Sequence, residues 1–178
     1  MSTNVPFYDI ANRFLLGFLF AAGIFVIHAY GILVFISELM QEFKIPGSAG
    51  TIITICFIAA IYEIGVVLNR ISSIGTEELL IKIKLWPRRA DYVWYNKAKE
   101  YYKIIPQLAQ EYDFCKGHIT LFCLMGMYSL VLWRWEIVLA CAVSIIIFIV
   151  SGRKQSKRIN ELVKDFEETS TKPEDLVA

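Results

Sequence analysis

The sequence predicts an all-α integral membrane protein with up to four spanning helices plus cytoplasmic amphipathic helices, assembled as a homo-oligomer. Three observations carry this. Of the 178 residues, 56% are hydrophobic and 14% aromatic, and mean hydropathy is +0.51; ordinary soluble domains are roughly 45–50% apolar. The apolar residues also fall in blocks near the 20 or so residues that a helix needs to cross the hydrocarbon core. Finally, charged residues avoid the blocks and crowd between them, so a net charge of only +1 conceals a strong segregation.

The first block is RFLLGFLFAAGIFVIHAYGILVFI, 13–36. It is longer than the apolar part of a cleavable signal, and no small-x-small cleavage pattern follows it. No lipidation motif is expected at either end. The second block, GTIITICFIAAIYEIGVVLN, 50–69, holds one carboxylate, Glu63, and is followed by Arg70. The third, HITLFCLMGMYSLVLW, 118–133, reaches spanning length if it starts near Phe114. The fourth, WEIVLACAVSIIIFIV, 135–150, is extended by Ser151 and Gly152. Only "RWE" joins the last two, which predicts a tight hairpin; the alternative, one very long helix, is more than a single span can bury.

The division follows: an N-terminal membrane hairpin over 1–70, a cytoplasmic segment over 71–116, a second membrane hairpin over 117–152, a cytoplasmic helix over 153–168 and a disordered tail over 169–178. Lys and Arg near span ends set topology. Arg13 precedes the first span, many cations lie between Arg70 and Lys116, and GRKQSKR follows the fourth. This places both termini on the cytoplasmic side of the inner membrane. Cys56, Cys123 and Cys141 fall inside spans and Cys115 at an edge, where reduced thiols are expected.

TEELLIKIKLW reads as a helix start that Pro87 ends. RRADYVWYNKAKEYYKIIPQLAQEYDF reads as an amphipathic helix kinked at Pro106, with Trp94, Ala98, Tyr101, Ile105 and Leu108 on one stripe. Ile159, Leu162, Val163 and Phe166 form a second stripe in a helix that continues straight from the fourth span. The two stripes have either each other or neighbouring subunits to pack on. WPRRADYVWYNKAKEYYK mixes cations with aromatics. Such a mixture suits RNA, but beside a membrane it is read as an interfacial helix facing anionic lipid. Direct nucleic-acid binding is not expected.

Tests for chemistry return little. The chain has only His28 and His118, and no Cys pair has zinc-ligand spacing. It has no phosphate loop, dinucleotide fingerprint or nucleophile elbow. No metal, no cofactor and no enzymatic activity are expected. In RKQSKRIN, Arg158 stands where an Arg-x4-6-His nuclease motif would place its His, and Asn160 lies two further on. Arginine is no proton shuttle near neutral pH.

Ionisable groups inside a span are functional candidates by default. Glu63 is the foremost. It has three roles open: pairing with Arg13 in the same chain, pairing with another subunit, or lining a pore as one of a ring of carboxylates. Arg70 lies seven residues on, near the same helical face. Thr51, Thr54, Tyr62 and Asn69 form a weakly polar stripe. His28 reads as a neutral interhelical hydrogen-bonding residue or a pH sensor. Gly17, Ala21 and Gly65 read as packing positions.

The apolar N-terminal half, with FYDIANRFLLGFLF and YEIGVVLNRISS, and the His-less RKQSKRIN resemble the small helical membrane accessory proteins encoded beside the RNA-targeting effector of type VI-B CRISPR systems. The resemblance implies an oligomeric membrane pore that permeabilises or depolarises the inner membrane when the RNA-guided effector finds its target. It also implies that Arg153, Arg158 and Asn160 are relics of a degenerate motif. The alternatives are a non-conducting membrane-bound docking subunit and a membrane-tethered nuclease.

Overall fold

A computed structural model describes residues 7–43, 47–88 and 90–171. Every regular element among them is helical: α1 (Phe7–Phe43), α2 (Gly47–Ile71), a π-helical turn (Ser72–Thr76), α3 (Glu77–Lys82), α4 (Tyr92–Tyr101), α5 (Ile105–Val131) and α6 (Trp135–Thr171). Four stretches are long and apolar enough to cross a membrane: Asp9–His28, Thr51–Lys82, Ile105–Val131 and Trp135–Thr171. α1 pairs with α2 and α5 with α6, and α5 touches both members of the first pair. Its apolar window is 56% buried against 11% for that of α6, so α5 is the central helix and the others present apolar side chains outward.

The core lies in three layers along α5 and α6. Leu16, Leu68, Leu121, Met125 and Cys141 form the layer between the spans. Leu80, Trp86 and Ile119 form the middle one. Ala98, Ile105, Leu108, Ile159 and Val163 form the third, outside the apolar blocks. The two amphipathic stripes thus pack on each other within one chain. Tyr101 is 68% exposed, but its ring still lies 5.5 Å from that of Phe166.

At about 1.5 Å per residue, the 37 residues of α6 extend roughly 55 Å, beyond the ~30 Å hydrocarbon core. Its buried residues past the apolar block, Gly152, Ser156, Ile159 and Val163, step by four, three and four, the spacing of one helical face. α6 therefore runs without a break from its apolar block into the third core layer, as expected.

α1 and α2 meet at two glycines. A Cβ on Gly17 would lie 1.8 Å from the Ile61 carbonyl oxygen, and one on Gly65 1.7 Å from that of Arg13. Only glycine permits this backbone contact. α5 and α6 are joined by the expected tight hairpin. Arg134 N–H donates to Ser129 O (3.0 Å) and Trp133 N–H to Leu130 O (3.1 Å), with Trp133 left-handed at φ 55°. These two bonds form a Schellman cap.

Four expectations need correction. The helix at the N-terminus does not stop near residue 36 but continues to Phe43, with a kink at His28 (φ −114°, ψ 17°). The segment around Pro106 is not one kinked helix. α4 ends at Tyr101, and Pro106 sits in the first turn of α5, where its missing N–H has no intrahelical partner to lose. No new helix starts at Thr76, because α2 passes through the π turn into α3. The tail expected over 169–178 is helical as far as Thr171; its remainder lies outside the described residues, as do residues 44–46 and Arg89.

Candidate functional site

The buried positions along α2 and α3 are Ile61, Gly65, Leu68, Ser72, Glu77 and Leu80. Their spacing is four, three, four, five, three. The step of five is the π turn, closed by the Glu77 N–H on Ser72 O. One extra residue in a turn rotates all that follows by about 100°. It turns Glu77, which a regular helix would direct away from the core, inward. Ser72 and Ser73 donate their hydroxyls to Asn69 O at 2.7 and 3.1 Å, a bonding pattern that competes with the regular ladder.

Glu77 is 1% exposed and meets a cluster on α5. Tyr112 Oη donates to Glu77 Oε1 at 2.7 Å, and Lys116 Nζ lies 3.4 Å from Oε2. Lys116 is 6% exposed and reaches Asp113 Oδ1 at 2.6 Å. Thr76 and Thr120 hydroxyls bond at 2.6 Å, and Thr120 also donates to Lys116 O at 3.0 Å. The Trp86 ring packs 4.8 Å from Tyr112. Its indole N–H donates to Ile149 O at 3.0 Å, and Gly152 makes room for it. A cavity of about 360 Å³ opens over Lys116, Asp113, Tyr95 and Asn160. Burial, and after it the Asp113 carboxylate, raises the Tyr95 phenol above its ordinary pKa. Lys116 is a charge held between two carboxylates, where it can bind or pass charge only by exchanging partners.

Sequence reasoning missed this cluster. The sequence pattern sets Glu77 at the start of a helix and Lys116 among the cations of an inside-positive loop. The available signal was the phase break at Ser72–Thr76, which shifts the buried register by one residue.

The sequence-predicted residues lie elsewhere and do not converge. Glu63, Thr51, Thr54 and Arg70 are exposed on α2. Glu63 forms no ion pair among the described residues, so the Arg13 pairing within one chain is not made. Arg13 is half-buried beside the Gly65 crossing. Tyr62 lines an apolar groove with Phe14, Ile55 and Ile58. Asn69 is half-buried, and its side-chain oxygen, like that of Asn12 on α1, is buried without a hydrogen-bond partner. His28, at the kink in α1, bonds the Tyr128 hydroxyl on α5. His118 sits among Phe114, Phe122 and Phe148, and its Nδ1 donates to Phe114 O at 2.9 Å.

Of the degenerate motif, Asn160 clamps the connection before α4. Its Nδ2 donates to Arg88 O (2.8 Å) and its Oδ1 accepts from Ala90 N–H (3.1 Å). Arg153 lines a second cavity with Lys84, Arg88 and Lys157. Arg158 is exposed. The four cysteines are free. No three metal-ligating side chains gather among the described residues. No protein-family model, curated protein or solved structure matches the chain.

Proposed function

We propose that the chain is an accessory membrane protein whose copies associate through the exposed face of α2 and enclose a pore between them. Glu63 carries the reading. A carboxylate on the outer face of a spanning helix, with exposed Ile52 and Val67 along the same face, is costly against lipid. A second copy or a water-filled lumen removes that cost. The core between the spans is filled by Leu16, Leu68, Leu121, Met125 and Cys141, so the conducting path is assigned between copies, and a ring of Glu63 carboxylates favours cations. Service in antiviral defence beside an RNA-guided effector rests on the sequence resemblance alone. The reading treats the protein as a non-enzyme in the inner membrane with both termini cytoplasmic.

Subunit number in detergent and ion flux through liposomes test it. A ring of several copies that passes cations supports it, with flux reduced by Glu63→Gln. A monomer that leaves liposomes tight refutes it. The second reading is a non-conducting docking subunit. It is favoured by the 360 Å³ cavity on the cytoplasmic bundle, and it stands if copies associate without conduction.

A further inference from the structure

We infer that the cytoplasmic end of α6 carries a binding site for a phosphate-bearing anion, with the headgroup of an acidic phospholipid as its favoured source. The site is a cavity of about 530 Å³. Lys84 and Arg88 approach it from the connection after α3, and Arg153 and Lys157 from α6. No carboxylate lines it. Lys84, Arg88 and Arg153 form no ion pair among the described residues, and Lys157 has only an exposed partner, Glu161, at 3.7 Å. Four like charges around one cavity repel unless an anion joins them.

The two walls are pinned together before any ligand arrives. Trp86 is hydrogen-bonded to Ile149 O, and Asn160 holds the backbone on both sides of residue 89. Lys84 sits at φ 60°, at the left-handed position after a helix that glycine usually fills. Its N–H bonds Ile81 O, and Leu85 N–H bonds Leu80 O, both at 3.0 Å. A cation therefore occupies a strained position at the rim of the cavity.

The level favours a lipid. Arg153 follows Val150, the last residue of the apolar block, by three residues or about 4.5 Å. Ile81 adds an apolar wall suited to an acyl chain. Guanidinium groups bind phosphate oxygens in pairs, and the Trp86–Pro87 wall matches the interfacial level. The inference is independent of whether copies form a pore.

The full chain, purified in detergent, is titrated with phosphatidylglycerol, phosphatidylcholine and inorganic phosphate. Native mass spectrometry and thermal unfolding are the readouts. Phosphatidylglycerol is expected to bind at least tenfold more tightly than phosphatidylcholine and to raise the melting temperature by a few degrees. The preference should shrink with salt. The Arg88→Gln/Arg153→Gln variant should lose at least tenfold in that affinity, and Lys99→Gln, away from the cavity, none. If inorganic phosphate competes at millimolar concentration, a soluble phosphate is the source; if it does not, the lipid is. Equal binding of both lipids with no effect of phosphate overturns the site. So does undiminished phosphatidylglycerol binding by the double variant. Should that variant lose its helical circular dichroism, Lys84→Gln, at an exposed turn, makes the same test.

Discussion

Lys116→Met is expected to be among the most damaging single substitutions in the chain. Glu77 is 1% exposed and Lys116 lies 3.4 Å from it. With an effective dielectric constant near 20, their attraction is about 5 kcal/mol. The methionine keeps the length of the side chain and removes the charge, so Glu77 is left ionised without its lysine, or must take up a proton. Breaking one side of a buried pair costs roughly 3–5 kcal/mol. For a chain of this size that is a fall in melting temperature of about 10 °C. Asp113 suffers less, because its side chain is 48% exposed and can turn to water. Thermal unfolding in detergent, followed by circular dichroism, reads the loss. The Glu77→Gln/Lys116→Met double variant completes the cycle. It keeps an acceptor for Tyr112 and buries no charge, so it should recover about half of the loss or more. A Lys116→Met variant within about 1 kcal/mol of the parent, or a double variant whose losses simply add, would refute the argument that this pair is coupled and desolvated.

Other outcomes follow from the same geometry. Asp113→Asn should cost under about 1 kcal/mol by chemical unfolding, as expected of a partly solvated ion pair. Gly17→Leu or Gly65→Leu should separate α1 from α2, since a backbone carbonyl cannot yield to even a Cβ at under 2 Å; cysteine cross-linking between the two helices should fall sharply. Gly152→Ala should displace Trp86, whose ring lies 2.4 Å from the added carbon, and shift tryptophan emission to the red. The Tyr102 phenol is held above its ordinary pKa of 10.0, first by its hydrogen bond to Asp165. A value raised by folding contributes fully below the unfolded pKa and is lost as pH rises through the folded one. The offset between Tyr102→Phe and parent unfolding curves should therefore stay constant from about pH 6 to 9 and shrink above about pH 10.

The spans were legible because their signal is composition, and composition does not depend on tertiary context. The α5–α6 hairpin was legible for a related reason: three polar or aromatic residues between two apolar blocks leave little choice of connection. The packing of the α4 and α6 stripes on each other followed less directly, since periodicity gives a face but not its partner. Glu77 was hidden. Its neighbours in TEELL suit a helix N-terminus, and only the irregular register at Ser72–Thr76 sets it inside. Glu63 stood out because a lone charge in an apolar run is conspicuous, yet it lies on the outer surface, and the buried charges fell at the edges of the blocks, where charge is ordinary. Asn160 was noticed for a motif it does not complete; its clamp on the connection at residues 88–90 depends on a contact 70 residues distant.

The π turn can be counted as a single inserted residue. Tightening Ser72–Thr76 to ordinary α-helix with every residue kept would rotate Glu77 by about 100° and swing its carboxylate out of the bundle. Deleting one position between Ser72 and Glu77 would instead shorten that step to four, the ordinary spacing of one helical face, and leave the carboxylate toward Lys116. The turn is thus a spare link: the chain can shed one residue near position 74 and keep both buried charges, but it cannot take up a regular turn there at its present length and keep them.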